Sequence, residues 1–209
     1  MASTILILTG GGPAPTTPLP STDLVIAADS GLGLAGALDV HVDLVVGDLD
    51  SVDRSQLDSA IKDGAAVEQH SADKDATDLD LALQAAVYRG GTRIVVAGGG
   101  AGRLDHLLGI AMLLTDERWI GSAIEWHSGS SVTHVARGVL ELDVLPDDLV
   151  SLIPVSDHAV VSIAGVRWPL EVTPLPRGTT HGISNEARGN RLEIDIHQGV
   201  VLAVITRGE

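Results

Sequence analysis

The stretch at residues 71–83, SADKDATDLDLAL, places four aspartates around one lysine and then becomes apolar. Carboxylates this close repel one another at neutral pH, so we expect a cation among them: Lys74, an arginine or a divalent metal. The apolar residues that follow recur with the helical period, which predicts an amphipathic helix. Thr77 would cap that helix and place Asp75 and Asp78 at its N-terminus, where unpaired N–H groups favour carboxylates. Alone, the stretch fits either a well-capped surface helix or a metal or phosphate site.

Neighbouring apolar runs place further charged residues in an equivalent position, directly after a strand. The runs at residues 24–28, 42–46 and 93–97 predict buried strands, and a polar or glycine-rich turn follows each of them. Strand and helix patterns alternate here, which is typical of a parallel sheet covered on both faces. Ligands of such sheets bind outside the carboxyl ends of the strands. We therefore expect one polar site at that edge, built from Asp29, Asp48, Asp50, Asp75, Asp78, Arg103 and Asp105.

The first apolar run, residues 4–8, ends in three glycines, but prolines crowd the loop that follows. Because proline disfavours a helix immediately after the glycines, this is not the strand, turn and helix of a dinucleotide fold. The first domain is therefore predicted to be α/β with a parallel sheet, Rossmann-like but non-dinucleotide. Within it we expect helices over residues 32–38 and 51–61, the second capped by Ser51, and a weaker strand over residues 65–67.

After about residue 119 the sequence consists of short β-type runs separated by Gly, Pro, Asn or Asp. This spacing predicts an all-β C-terminal domain, a sandwich or jelly-roll-like barrel. The predicted domains are therefore residues 1–118, α/β and site-bearing, and residues 119–209, all-β. No linker separates them.

Composition narrows the class of protein. The chain has 209 residues, a formal net charge of −15 and no cysteine. The negative charge argues against a nucleic-acid surface, and the missing cysteines exclude thiolate catalysis and Cys-type zinc sites. The N-terminal apolar run lacks a basic segment and is too short for an export signal or a membrane span. We expect a cytoplasmic protein without nucleic-acid or membrane partners.

Clustered aspartates beside glycine-rich loops suit Mg²⁺ and phosphate, because Mg²⁺ prefers carboxylate and water oxygens and completes its shell with substrate phosphates. Zinc is disfavoured because the histidines are scattered, and no P-loop lysine follows either glycine-rich loop. Phosphoryl-type transfer can proceed in such a site through positioning and charge neutralisation, with Asp78 or Asp50 accepting a proton. The residues thus predict a two-domain, Mg²⁺-dependent enzyme acting on a nucleotide polyphosphate.

Taken together and in order, five motifs resemble the thiamine pyrophosphokinase family across nearly the whole chain. They are ADSG (residues 28–31), GDLDS (47–51), DKDATDLDLAL (73–83), GGGAGRLDH (98–106) and GISNE (182–186). The resemblance implies an N-terminal α/β domain, a C-terminal β-sandwich, and transfer of the pyrophosphoryl group of ATP to thiamine with Mg²⁺, releasing AMP. It also implies a homodimer in which thiamine binds between the α/β domain of one subunit and the β-domain of the other.

The resemblance also implies roles for individual residues. Asp48, Asp50 and Asp75 would handle metal and pyrophosphate, with Asp78 close by as a fourth catalytic residue. The residues implied for ATP are Asp29, Ser30, Lys74, Thr77, Arg103 and Asp105, the last steadying its loop.

For thiamine, the segment around Trp168 resembles the family's aromatic that faces the thiamine rings, and Ser184 and Asn185 match a polar pair near the pyrimidine. The alternatives are a tryptophan in the core of the sandwich and a plain turn at GISNE.

Two residues depart from the family pattern. Leu49 replaces a common aromatic, and Ile110 stands where an asparagine is usual. Two other functions stay open. One is a pyrophosphokinase of the same chemistry for another hydroxymethyl heterocycle, such as a pterin, and the other, at which only Ile110 hints, is a nucleotide-binding regulatory module without turnover.

Overall fold

The computed structural model describes residues 3–73 and 75–208 and divides into two units, residues 1–129 and 130–209. The boundary lies later than the predicted one at residues 118 and 119. The reason is the strand Ala123–Ser128, which pairs in parallel with the strand Gly91–Gly98 and so belongs to the first unit. Lys74, which the sequence implies for ATP, lies outside the described residues.

The first unit alternates strands and helices, as the sequence predicts. Its strands are β1 Ser3–Thr9, β2 Leu24–Ala28, β3 Leu44–Gly47, β4 Ala66–Gln69, β5 Gly91–Gly98 and β6 Ala123–Ser128. Its helices are α1 Ala35–Leu38, α2 Arg54–Lys62, α3 Asp78–Tyr88 and α4 Leu104–Leu113, with 3-10 turns at Asp29–Leu34 and Glu117–Trp119.

All strand pairs of this unit are parallel, in the order β6-β5-β1-β2-β3-β4. The chain builds outward from β1 to β4 on one side, and then returns to place β5 and β6 on the other side of β1. The direction of winding therefore reverses between β1 and β5. A crevice outside the carboxyl ends of these strands is the usual binding place in such a sheet.

The inner strands β1, β2, β3 and β5 are buried on both faces, which explains why their central residues are continuously apolar rather than alternating, whereas the edge strand β4 is mostly exposed. One face, including Leu6, Leu8 and Val95, packs with Leu57 of α2 into one apolar cluster. Helix α3 lies against β1, β2, β3 and β5 and buries Leu83 completely.

Helix α3 forms as predicted, with Thr77 as its N-cap: the Thr77 hydroxyl oxygen accepts a hydrogen bond from the Asp80 N–H at 3.2 Å. The predicted start of α2 is wrong. Its N-cap is Asp53, whose carboxylate accepts from the Gln56 N–H at 3.0 Å, whereas the Ser51 hydroxyl donates to Asp29 instead.

The second unit consists of antiparallel strands, which confirms its predicted all-β character. Its strands are β7 Ser131–Ala136, β8 Val139–Asp143, β9 Leu149–Pro154, β10 His158–Ala164, β11 Leu170–Pro176, β12 Asn185–Glu186, β13 Arg191–Gln198 and β14 Val201–Thr206. They pair in two orders, β12-β9-β14-β7 and β11-β10-β13-β8. Buried side chains of both sets, such as Val150, Ala203, Val161 and Ile194, form one core, as in a sandwich.

Within residues 3–73 and 75–208, every helix is too short or too polar to cross a membrane.

Candidate active site

A cavity of about 860 Å³ opens at the carboxyl edge of the parallel sheet, where the winding reverses. The loops after β1 and β5 form one side, and the N-terminus of α3 forms another. Its lining includes most of the residues that the sequence predicts for ATP or catalysis: Asp29, Ser30, Asp50, Asp75, Thr77, Asp78, Arg103 and Asp105. The prediction that separate strand-end loops contribute to one site agrees with this arrangement.

Three carboxylates meet at this edge. Asp29, Asp48 and Asp78 each offer one oxygen, and these oxygens all lie within 4.8 Å of one another. They come from three elements: the turn after β2, the turn after β3 and the first residue of α3. Such a set of hard oxygen donors fits a divalent cation such as Mg²⁺.

Asp29 is the most buried of the three, with 6% of its surface exposed. Its Oδ2 accepts a hydrogen bond from the Ser51 hydroxyl, and its Oδ1 is buried without a hydrogen-bond partner among the described residues. A buried carboxylate oxygen without a partner is costly, and a cation bound to it would remove that cost.

This carboxylate group differs from the metal set that the resemblance implies, Asp48, Asp50 and Asp75. Only Asp48 belongs to both sets. Asp50 and Asp75 line the cavity, but the compact three-oxygen group does not include them. Sequence reasoning placed Asp29 with the nucleotide and Asp78 with catalysis, because their distance from Asp48 depends on the folded turns.

Glycine at position 47 makes the close approach possible. An added Cβ there would lie 3.0 Å from both the Asp29 Cβ and an Asp78 carboxylate oxygen, and the φ of Gly47 is +153°. In the preceding turn, after β2, a Cβ on Gly31 would collide with the Leu8 carbonyl. Both positions therefore require a residue without a side chain.

The acidic surroundings change the proton affinity of Asp50. Its pKa is raised, first by a hydrogen bond with the Asp48 side chain and then by the negative charges of Asp48, Asp29 and Asp78. A bound cation would oppose this effect, because it favours the ionised form of every carboxylate near it.

Arg103 and Asp105 form an ion pair at the start of α4. The Arg103 Nε and Nη2 groups donate to the Asp105 carboxylate at 3.1 and 2.5 Å, which lowers the pKa of Asp105 to about 2. Both side chains are exposed. The pair joins residues two positions apart, and the role of Asp105 in steadying its loop stays a prediction.

A smaller cavity, about 340 Å³, lies in the second unit. It is lined by Trp168, Leu170, Thr180, His181, Gly182, Ile183 and Asn185. Trp168 is 51% exposed, so the alternative of a tryptophan in the core of the sandwich is wrong. Asn185 is buried and directed at the backbone of Trp168, whereas Ser184 is exposed and is not part of the described cavity wall.

The sequence assigns neither Ser51 nor Arg167 to a site, and it marks Ile110 only as a departure from the family pattern. The pattern predicts Ser51 only as a helix cap, although it is the last residue of the GDLDS motif. Ile110 lies in the wall of the larger cavity, buried against the loop after β5, with its Cδ1 2.5 Å from where a Gly99 Cβ would be. Arg167, beside Trp168, carries no sequence signal of a role in the smaller cavity.

The fold and the two cavities define a protein with an acidic, strand-end site of the type used in phosphoryl transfer and a separate β unit with its own cavity. Residues 17–120 match the family model "Thiamin pyrophosphokinase, catalytic domain", and residues 140–201 match "Thiamin pyrophosphokinase, vitamin B1 binding domain". The thiamine pyrophosphokinase of Bacillus subtilis (strain 168) is 30% identical over 163 residues, which cover 76% of this chain and 75% of that protein. The chain belongs to the thiamine pyrophosphokinase family.

Solved structures agree with this assignment. The crystal structure of thiamine pyrophosphokinase from Bacillus subtilis superposes with a TM-score of 0.83 at 25% identity, over 99% of this chain and 100% of that one. The thiamin pyrophosphokinase of Geobacillus thermodenitrificans gives a TM-score of 0.79 at 26% identity, over 99% and 98% of the two chains. A family protein from Enterococcus faecalis, at 22% identity and a TM-score of 0.84, shares the fold.

Proposed function

We propose that this chain transfers the pyrophosphoryl group of ATP to the hydroxyl of thiamine, giving thiamine diphosphate and AMP. The observation that carries the proposal is the match of two family models, catalytic and vitamin B1 binding, each to a segment with its own cavity. The same match disfavours a pterin as the acceptor and a module without turnover.

We assign Mg²⁺ to the site at Asp29, Asp48 and Asp78. The support is the three-oxygen group and the unpartnered buried Oδ1 of Asp29. Asp50 and Asp75, which line the same cavity, are the proposed further carboxylates toward metal and pyrophosphate. When bound, the ion would neutralise the charge of the phosphate oxygens and hold them in line with the acceptor.

The chain's own groups would then position ATP. Strand-end loops after β1 and β5 offer backbone around Gly10, Gly11 and Gly99, where phosphates can approach closely. Arg103 would contact phosphate while Asp105 keeps its guanidinium in place, and Ser30 and Thr77 offer hydroxyls at the cavity wall. Asp50 or Asp78 would accept the proton of the thiamine hydroxyl.

Several further properties of the chain are proposed from the sequence pattern and the family resemblance. They are a Rossmann-like, non-dinucleotide first unit, a jelly-roll-like variant of the β unit, a cytoplasmic location and a homodimer with a shared active site. Light scattering of the purified chain would test the dimer.

The test of the function is formation of AMP and thiamine diphosphate from ATP, thiamine and Mg²⁺ by the pure, folded chain. Omission of Mg²⁺ should abolish both products. A hydroxymethylpterin in place of thiamine should give no AMP above background. If neither acceptor yields AMP although the chain binds ATP, the regulatory-module alternative would be favoured instead.

A further inference from the structure

Trp168 stands at the end of a short ladder formed by two segments of the second unit, residues 165–168 and 185–188. The Arg167 N–H donates to the Glu186 carbonyl at 2.8 Å, and the Arg188 N–H donates to the Gly165 carbonyl at 2.8 Å. Between them, Val166 and Ala187 form an antiparallel bridge. The backbone that carries Trp168 is thus fixed by pairing, although the segment lies outside the long strands.

Asn185 fixes the backbone of Trp168 itself. Its side-chain oxygen accepts hydrogen bonds from the N–H groups of Trp168 and Glu186, both at 3.0 Å, and its Nδ2 donates to the Trp168 carbonyl at 2.7 Å. Asn185 is 6% exposed. The buried amide therefore holds both backbone polar groups of Trp168.

Arg167 fixes the indole itself. Its guanidinium carbon lies 4.6 Å from the centre of the Trp168 ring, within the range of a cation–π contact. The Arg167 Nη1 group also donates to both carboxylate oxygens of Glu186, at 3.2 and 3.1 Å. One face of the indole is thus covered by Arg167, while the half-exposed ring lines the smaller cavity.

We propose that Arg167 and Asn185 are positioning residues that present the second face of Trp168 to the smaller cavity, where it takes a planar, cationic aromatic ring. This inference rests on the proposed function, which supplies the ligand: thiamine contains a cationic thiazolium ring. An indole that is already fixed loses little freedom when the ligand binds, so affinity increases without any contact between Arg167 and the ligand.

Glu186 neutralises the charge of Arg167 beside the indole. A cationic ligand on one face of the indole faces the charge of Arg167 across the ring, and the two would repel each other. The Glu186 carboxylate, ion-paired to Arg167, cancels this charge. The Arg167 side chain can therefore support the indole without repelling a cation on its other side.

The test is titration of the full chain with thiamine in the absence of nucleotide. Calorimetry and tryptophan fluorescence measure the binding. Because the Arg167 side chain is 46% exposed, Arg167→Met should fold normally. We expect it to weaken thiamine binding about tenfold, and Arg167→Lys to recover part of the loss. The KM for ATP and kcat at saturating thiamine should stay within about twofold of the wild type, because the phosphate site is untouched.

A second variant separates positioning from simple loss of structure. In Glu186→Gln the shape and a hydrogen-bond acceptor remain, but the charge of Arg167 is no longer cancelled. Thiamine binding should weaken at low salt and recover toward the wild-type value at high salt, since the added repulsion is screened. A merely structural role of Glu186 would not give this salt dependence.

Arg118→Met is the matched control. Arg118 stacks on Trp119 with its guanidinium carbon 4.5 Å from the ring centre and pairs with the carboxylates of Asp80 and Asp116, but Trp119 is buried in the first unit. The thiamine affinity of the Arg118→Met variant should equal that of the wild type. If wild type binds and converts thiamine while Arg167→Met and Glu186→Gln bind it equally well, the inference fails and the function stands. If wild type itself does not bind thiamine, the proposed function fails.

Discussion

At the scale of single residues, the site depends on backbone conformations that side chains rarely adopt. Asp29 and Leu49 have φ angles of 47° and 67°, and both lie in the turns that bring the carboxylates together. Left-handed conformations of non-glycine residues cost on the order of 1–3 kcal/mol and persist where the surroundings fix them. Leu49 stands in the GDLDS turn between Asp48 and Asp50, so its strained backbone helps to aim both carboxylates.

Asp78→Asn tests the three-carboxylate group. The substitution keeps the size of the side chain and removes one charge, so we expect turnover to fall more than about 100-fold, with a higher Mg²⁺ requirement. The thermal midpoint should not fall, because a repulsion among like charges is relieved. Steady-state kinetics and thermal unfolding measure the two effects. Asp73→Asn is the control, since Asp73 is exposed in the same stretch and outside the described cavity wall; an equal loss of activity there would contradict the assignment.

The raised pKa of Asp50 predicts how the metal-free protein responds to acid. A carboxyl group with a higher pKa in the folded state binds its proton more readily when folded than when unfolded. Its stabilising contribution is therefore fully present below the ordinary pKa of 3.8 and is lost as the pH rises through the raised value. Without Mg²⁺, protonation of Asp50 on mild acidification should therefore raise the thermal midpoint of unfolding.

Asp48→Asn should flatten that response, because the Asp48 side chain is the main cause of the shift. Thermal unfolding between neutral and mildly acidic pH, in buffers with a chelator, measures it. A response of the same size in Asp48→Asn would show that another group is responsible. The Asp105 carboxyl does not interfere, since its pKa of about 2 lies far below this range.

At the scale of elements, α3 connects the core to the site. Its buried residues Leu79, Ala82 and Leu83 fix the helix on the sheet, and its first residue, Asp78, is thereby held at the cavity. The orientation of Asp78 depends on the first turn, where Thr77 caps the helix. A loosened cap should therefore affect both stability and metal binding.

Thr77→Ala should lower the free energy of unfolding by about 1 kcal/mol and raise the Mg²⁺ concentration needed for half-maximal turnover. Thr77→Ser keeps an oxygen that accepts from the Asp80 N–H, so it should retain most of the stability. Chemical denaturation and Mg²⁺ titrations of both variants provide the measurement. Equal stability of the Ala and Ser variants would mean that the cap contributes nothing.

Elements with a strong local pattern could be predicted from the sequence, and contacts between elements could not. The sequence shows the apolar period of α3 and its Thr77 cap, and it shows the change from alternating strand and helix patterns to strand patterns alone. The start of α2 was missed because both Ser51 and Asp53 are good caps, and only the folded chain shows that the Ser51 hydroxyl is already donated to Asp29. For the same reason, the sequence predicts that the aspartates lie at one edge of the sheet but does not identify which three carboxylates meet.

At the scale of the whole molecule, the two units carry separate cavities and match separate family models. The larger cavity belongs to residues 1–129, and the smaller one to residues 130–209. The predicted boundary came too early because β6 resembles the β-type runs that follow it, and a sequence pattern does not show with which strand an apolar run pairs. The assignment of ATP to one cavity and thiamine to the other therefore predicts a division of binding along the chain.

Hydrogen exchange should make this division visible. With Mg²⁺ and a non-hydrolysable ATP analogue, we expect the largest slowing of amide exchange in residues 28–31, 47–51 and 99–106, whose backbone lies in or beside the turns of the larger cavity. Thiamine alone should slow exchange most in residues 165–168 and 180–186, because its site is at Trp168 and the adjoining wall. Trp168→Ala should abolish the second effect and leave the first intact. If thiamine instead protected the glycine-rich turns most strongly and the ATP analogue protected residues 180–186, the assignment of substrates to cavities would be reversed.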